Sequence, residues 1–573
     1  MYRLARFFTI RTDQPLSMLC KVLALICMVG IASSHQPAAA FAASDFETSP
    51  TDTDTDTDTD TEPIKCLTPW ILLYGEDASR LEPHIRNKIE ELLPFDAQSA
   101  ESHLSPSGRF RLVFHRDGFH AVPADDESGS GLPDYIERAA QYADFSWQRQ
   151  VADIGFKDPV GDTPLTIEFR NIGSQTYGYT IRDSGATRIV VHNTFRNFPP
   201  NDDPDGNQFG ALKVTIAHEF KHAIQFATNR WQGDAGSTDW VEMDATMMEN
   251  VVYPQVNDYY NYIQGTSGIF GNPGRSTPVA YSHVTWSLFF AEHSGMSYWV
   301  DVWDHVRGEP LLPMIRAMQQ AITADPESGI RRFRELVTRN HLWHATSGSR
   351  SVAGYGFAES DAYPDAVMEI VDGPVPEWYV ESGEQVALSG SYRMFYPGPG
   401  QIGQISVTVT HDQNQLGIGV LAYQRDGSVR EWIPMTGTGA STHAASPFSV
   451  AQSDSFLLVV TNADPADPVS FQLEMTIESI PDVVVLEQNY PNPFSESVGN
   501  PGTSIPFSIP GRERVVLSVH DVTGRKVVRL FDQELEPGRY SVPFNAKGLS
   551  SGVYIYRLQA GSIRKTGTMT YLR

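Results

Sequence analysis

Within Ala217–Ala223 stands His218-Glu219-Phe220-Lys221-His222, and few patterns this short constrain a chain so tightly. On a helix, four residues advance by about 400°, so both imidazoles leave one face roughly a turn apart. Rings so placed can share one zinc ion, with the glutamate beside it as a general base. The neighbours read as a helix from about Phe209 to Thr228. Ile216, Phe220, Ala223, Ile224 and Ala227 form an apolar stripe on it. The two histidines lie about 160–200° from the middle of that stripe. The expectation is a helix held by a sheet on one side, with its histidines facing a cleft on the other. The alternative is an ordinary helix carrying two surface histidines.

Zinc catalysis needs a third protein donor and an open position for water. The form H-E-x-x-H-x-x-G-x-x-H is excluded, because Gln225 and Thr228 stand where its glycine and last histidine would be. The other form takes a glutamate from a second helix. After a glycine-bearing turn, Trp231–Gly236, the run Ser237 to Thr246 starts such a helix, which ends before Pro254. Glu242 lies 20 residues after His222. With Asp239 as N-cap, Glu242 could instead complete a capping box. Glu249 and Asp239 are the fallback donors.

This spacing resembles the thermolysin-like, glutamate-ligand zinc peptidases. The resemblance implies an α+β zincin-like catalytic domain, with His218, His222 and Glu242 as metal ligands and Glu219 as the general base. Such enzymes often place an acid one turn after the ligand glutamate to orient the first histidine; here that place holds Thr246. A wider set of segments resembles a family of secreted bacterial metalloproteases across roughly residues 66–350. These are Ala217-His218-Glu219-Phe220, His222-Ala223-Ile224-Gln225-Phe226, Trp240-Val241-Glu242 with Ala245, Val252-Tyr253-Pro254, and Gly131-Leu132-Pro133-Asp134-Tyr135. That resemblance implies peptide hydrolysis on protein or peptide substrates.

Other parts of a site are sought around this pair. Ile189–His192 reads as a strand, either an edge to which an extended substrate adds or an interior strand. Tyr281 and His283 are candidates for an oxyanion donor, and core packing explains that tyrosine equally well. A second cation site is suggested by Asp126, Ser128, Ser130, Asp134 and Glu137. They fall at positions 1, 3, 5, 9 and 12 of a loop with Gly131 at position 6, the offsets of a calcium loop. The serines are weak ligands, and the alternative is an acidic, glycine-rich loop with Pro133 opening the next helix.

The ends of the chain speak to its destination. Arg3, Arg6, Arg11 and Lys21 precede the apolar run Val22 to Ile31, and Ala40-Phe41-Ala42 fits a signal-peptide cleavage site. The alternative is an uncleaved anchor. No transmembrane candidate follows residue 31. Cys20 and Cys27 would leave with the signal, so only Cys66 remains, and an intramolecular disulfide is excluded. The alternating Thr/Asp repeat from Thr51 to Thr61 cannot bury a core and reads as a disordered spacer. A net charge of −26 argues against nucleic acid as a partner.

Helical patterning continues through Ile330, Phe333, Leu336 and Val337, and Gly373–Pro376 marks a boundary. Beyond it, Ile405/Val407/Val409, Phe456–Val460 and Phe471/Leu473/Met475/Ile477 read as strands of a sandwich. The last unit holds Leu486-Glu487-Gln488-Asn489-Tyr490-Pro491-Asn492-Pro493-Phe494, Gly524-Arg525 and Leu549 through Leu558. These segments resemble the C-terminal sorting domain of the type IX secretion system. The resemblance implies that machinery as a partner, passage through the outer membrane, and release or surface attachment.

The expected organisation is a multidomain chain: signal peptide 1–42, disordered Thr/Asp-rich linker 43–65, zincin-like metallopeptidase domain 66–372, β-sandwich accessory domain 373–482 and sorting domain 483–573. An α+β catalytic domain is thus followed by two all-β sandwiches. The expected activity is that of a secreted zinc endopeptidase. The rivals are a catalytically inactive surface or adhesion protein on the same scaffold, and a zinc amidase acting on cell-wall peptides.

Overall fold

The computed structural model describes residues 65–92, 99–174, 176–183, 186–263, 274–275, 280–376, 378–401, 403–411, 415–434, 441–478, 483–495, 502–535 and 537–572. The expected signal peptide and all but the last residue of the expected linker lie outside them. The linker boundary moves by that one residue. Lys65 is buried, with its ammonium 2.5 Å from Asp258 and 2.6 Å from Glu249, so it belongs to the folded part. No helix among the described residues is long and apolar enough to cross a membrane.

A five-stranded sheet supports the first part. Strands β1 (Glu101–Leu104), β2 (Phe110–Phe114), β3 (Leu165–Arg170), β4 (Gly178–Asp183) and β5 (Ala186–His192) lie in the order β1-β2-β3-β5-β4. The β2, β3 and β5 strands run parallel, whereas β4 pairs antiparallel with β5 at the edge. Ile189–His192 is therefore an interior strand, and the edge reading falls to β4. The apolar side chains of β5 are buried on both sides, as a parallel interior strand requires.

In chain order the helices are α1 (Thr68–Asp77), α2 (Pro83–Leu92), α3 (Asp134–Trp147), α4 (Asn207–Asn229), α5 (Thr238–Val252), α6 (Val284–Ser294), α7 (Met296–Gly308), α8 (Met314–Ile322) and α9 (Pro326–Ala345). Helix α4 carries the two histidines and is buried continuously from Gly210 to Gln225. Its apolar stripe does enter the core with Phe110 and Ile189, but the opposite face is buried as well.

The turn after α4 explains how the second helix returns. Arg230 and Trp231 both take left-handed backbone (φ 57° and 53°), which ends α4. A Cβ at Gly236 would lie 2.1 Å from the Trp231 carbonyl, so only glycine lets the chain fold back this tightly. Helix α5 then packs alongside α4 with Glu242 facing the histidines.

Beyond residue 368 the described residues form strands and their connections, with one 3-10 turn at Val450–Gln452. One sheet joins Ser441–Ser449, Gln404–His411, Val469–Glu478 and Trp378–Gln385. The facing sheet joins Val429–Trp432, Leu416–Gln424, Ser453–Asn462 and Ser389–Tyr396, with Glu369–Pro374 beside the last. The second sheet is buried on both faces, which is why Phe456–Val460 is apolar without alternation. Phe456, Leu458 and Val460 face the sandwich interior. Leu457 and Val459 join the core of the helical part instead.

Helix α9 lies on that outer face, where a Cβ at Gly417 or Gly419 would collide with Thr338. The Thr338 and Thr461 hydroxyls are 2.9 Å apart, and His341 Nδ1 is 2.6 Å from the Tyr392 hydroxyl.

The last unit is a smaller sandwich. Val485–Leu486, Gly502–Ile509 and Gly538–Asn545 form one sheet. Phe494–Ser495, Ile563–Leu572, Gly552–Ala560, Glu513–Asp521 and Lys526–Leu535 form the other. Its core includes Ile505, Phe507, Leu517, Val519, Tyr556 and Tyr571.

Candidate metal centre

Helix geometry puts His218 and His222 on one face, and α5 brings Glu242 against both. The two Nε2 atoms are 3.1 Å apart. Glu242 Oε2 lies 3.1 Å from His218 Nε2, and Glu242 Oε1 lies 3.1 Å from His222 Nε2. Donors about 2.0–2.1 Å from a tetrahedral zinc stand about 3.3 Å from one another, so this triangle has the right size.

The outer nitrogens decide which lone pairs meet. His218 Nδ1 is 2.8 Å from Glu249 Oε1, an acceptor, so Nδ1 carries the proton. His222 Nδ1 is 2.8 Å from Gln225 Oε1. The Gln225 amide is oriented by donating Nε2–H to Val241 O (3.0 Å) and Asp244 Oδ2 (2.8 Å). Both Nε2 atoms are thus left to face the same point as the Glu242 carboxylate, with lone pairs for a cation or with a proton in its place. Glu242 Oε1 is buried and accepts no hydrogen bond there. A cation, or protons in its place, must fill that point.

The charge balance agrees. Five buried carboxylates, Glu219, Glu242, Asp244, Glu249 and Asp258, meet two buried ammonium groups, Lys65 and Lys221. Burial resists charge on His218, but Glu242 and Glu249 outweigh it and raise its pKa to about 10. Burial likewise opposes ionisation of Glu242, yet His222 and His218 hold its pKa at about 2. Burial lowers Lys221 to about 8, against the pull of Asp244. A dication suits this excess of negative charge.

Glu219 reaches β4. Its Oε2 is 2.8 Å from the Thr180 hydroxyl on β4, and the Thr68 hydroxyl is 3.5 Å away. Burial raises its pKa, against the neighbouring histidines. Gly178 permits the approach of β4: a Cβ there would sit 2.8 Å from Val190 O and 3.1 Å from Glu219 Cγ.

The sequence-derived candidates divide clearly. His218, Glu219, His222 and Glu242 converge. The capping-box alternative for Glu242 fails, because α5 starts at Thr238 after Ser237, and three residues past that cap stands Trp240. Thr246 donates its hydroxyl to the Glu242 carbonyl, 2.8 Å away, and orients nothing at the centre. The acid that orients His218 is Glu249, expected only as a fallback ligand.

Tyr281 stands near, its ring 6.2 Å from that of His218. His283 is not brought to the centre by any of its described contacts. Its Nδ1 meets the Ser282 hydroxyl, and its electrostatic neighbours are His341 and His344.

The 126–137 loop satisfies itself. Asp126 accepts from Ser130 N, Gly131 N and the Ser128 hydroxyl, and Asp134 accepts from Glu127 N. Glu137 lies in the first turn of α3. Where His, Cys, Asp and Glu donors converge closely among the described residues, the group is Cys66, His218, Glu219 and His222, with donor atoms within 4.8 Å of one another. Cys66 was not anticipated there, and no local pattern marks it.

Because Glu249 fixes the ring of His218, Glu249→Gln is expected to weaken zinc binding by about 10–100-fold. Competition with a chromophoric chelator measures this, and an unchanged affinity would assign the orientation of the ring to packing alone.

Residues 488–570 match the family model described as the secretion system C-terminal sorting domain. The last sandwich is thus a type IX sorting domain, and it marks the protein as secreted or displayed at the cell surface through that system, as its sequence implied. No curated protein matches the chain.

Among solved structures, a similarity at 20% identity is to PorZ, a surface component of the type IX secretion system of Porphyromonas gingivalis; it covers 20% of this chain and 15% of that one, with a TM-score of 0.13. The lysozyme inhibitor PliG of Aeromonas hydrophila is 15% identical over 20% of this chain and 100% of its own, with a TM-score of 0.14. A β-1,2-glucanase from Parabacteroides distasonis is 9% identical over 34% of this chain and 36% of its own, with a TM-score of 0.12. Scores this low define no shared overall fold.

Proposed function

We propose that the protein is a secreted zinc-dependent endopeptidase with His218, His222 and Glu242 as metal ligands. The observation that carries this reading is the convergence of two imidazole lone pairs and a carboxylate at 3.1 Å spacings in a buried, negatively charged pocket. A zinc ion held there would supply Lewis acidity toward a peptide carbonyl and toward water.

The chain's own residues supply the rest. Glu219 is the general base: it takes a proton from the attacking water and returns it to the leaving amine. Burial raises its pKa, which makes it a stronger acceptor than a solvated carboxylate. Thr180 holds the Glu219 carboxylate from β4. That edge strand can take an extended peptide as an added strand. The Tyr281 hydroxyl, whose ring lies 6.2 Å from that of His218, is the candidate oxyanion donor; burial keeps it protonated.

Metal analysis of the purified exported chain, paired with digestion of an unfolded protein, tests the reading. One zinc per chain and new peptide termini are expected, both removed by a chelator. A chain that retains zinc but cleaves nothing, even with Cys66 replaced, would favour the inactive surface protein. A chain that takes up no zinc would overturn the metal site itself.

A further inference from the structure

Among the described residues the donors of the centre are all buried, and one short segment lies across them. Lys65 to Thr68 runs along the outer edge of β4 in parallel, with Cys66 opposite Gly178. Tyr177 N donates to Lys65 O (3.0 Å), Leu67 N to Gly178 O (3.1 Å), and Thr180 N to the Thr68 hydroxyl (2.8 Å). The Tyr281 hydroxyl accepts from Cys66 N at 3.1 Å and reaches Cys66 O at 3.3 Å. Thr68 also faces Glu219. The edge strand, the general base and the candidate oxyanion donor are therefore all engaged by this one piece of chain.

The thiol completes the arrangement. Cys66 Sγ lies 3.4 Å from His222 Nε2 and is fully buried. A sulfur about 2.3 Å and a nitrogen about 2.0–2.1 Å from a tetrahedral zinc stand about 3.6 Å apart, so Sγ stands from His222 at close to the separation of a fellow ligand. Glu242 Oε1, buried and accepting no hydrogen bond, stands 3.1 Å from the same His222 Nε2 on the neighbouring helix, a second sign that a cation is awaited at this point. Four protein donors make a closed site, whereas three with an open position make a catalytic one.

We propose that Cys66 is a fourth ligand of the metal centre and that Lys65–Thr68 is a built-in plug, which holds the endopeptidase latent until the segment leaves β4. This rests on the metal-site reading above. On ligation the sulfur gives its proton to solvent and its lone pair to the cation; release reverses both, with no change of oxidation state. Lys65 anchors the plug through Asp258 and Glu249, so the group that orients His218 also holds the strand that covers it.

Cobalt(II) distinguishes the two readings, using the full chain freed of metal with a chelator. Wild type is expected to show both visible d–d absorption and a near-ultraviolet thiolate-to-cobalt charge-transfer band. Cys66→Ser should keep the first and lose the second. Its peptide hydrolysis should rise at least about tenfold, the gain expected when the open form is a minor one. Cobalt bound without a charge-transfer band in wild type overturns the plug and leaves the His218, His222 and Glu242 site standing. No d–d absorption in either protein overturns both. Should Cys66→Ser fold poorly, alkylation of Cys66 followed by mass spectrometry decides on the wild type. Protection that appears only with cobalt supports ligation, and equal reactivity with and without cobalt overturns it.

Discussion

Glu219→Gln is expected to lower peptide hydrolysis by about 10²–10⁴-fold while zinc content stays at one per chain. The amide keeps the size of the side chain and can still accept from the Thr180 hydroxyl, 2.8 Å away. It cannot take a proton from water. Glu219 is not one of the proposed metal ligands, so the centre should load normally. Rates are best compared in the native chain and again with Cys66→Ser, where the covering strand has lost its proposed sulfur ligand. An undiminished rate in both backgrounds would remove Glu219 from the chemistry. Loss of zinc together with activity would give it a share in building the site.

The second large effect is expected at Lys65. Its ammonium is buried between Asp258 and Glu249; burial opposes its charge, and the two carboxylates more than offset this. Lys65→Met fills the space with an apolar chain and takes the only ammonium from both carboxylates, leaving Glu249 with His218 Nδ1 and Asp258 with the Tyr177 hydroxyl. Breaking a buried pair this way costs about 3–5 kcal/mol. Urea unfolding of the metal-free chain should register that loss, and Asp258→Asn in the same chain should recover part of it. A loss below about 1 kcal/mol, the range of exposed pairs, would mean that water reaches Lys65 in solution.

Much of the centre was legible in the sequence because the two histidines and Glu219 depend only on helical period. Glu242 was implied by the resemblance to the glutamate-ligand zinc peptidases, which offered a third donor at its separation from His222. Residues whose roles depend on tertiary contacts were not legible. Glu249 lies seven residues after Glu242, two helical turns, and so shares its face; the expected acid at 246 shares the face too. Only the relative position of α4 and α5 decides that the farther one reaches His218 Nδ1. Cys66 meets His222 across 156 residues of chain, and nothing beside it in sequence signals the encounter.

The interior place of β5 was open for a similar reason. Ile189-Val190-Val191 suits an edge or a centre, and pairing order settles it. The amphipathic reading of α4 was half right. One face enters the sheet core, and the other, expected to line a cleft, carries the candidate metal donors and is buried as well.

The packing of α9 against the first sandwich bears on how such a chain can evolve. Gly417 and Gly419 exist to admit Thr338, and Leu457 and Val459 lend their side chains to the helical core rather than to their own sheet. The sandwich is the floor of the helical part, not a passenger behind it. A descendant that shed residues 369–478 would bare an apolar flank and would have to recolour α9 with polar side chains at the same time. Gene rearrangement can therefore exchange the sorting tail far more readily than it can part these two, and they should be inherited as one piece.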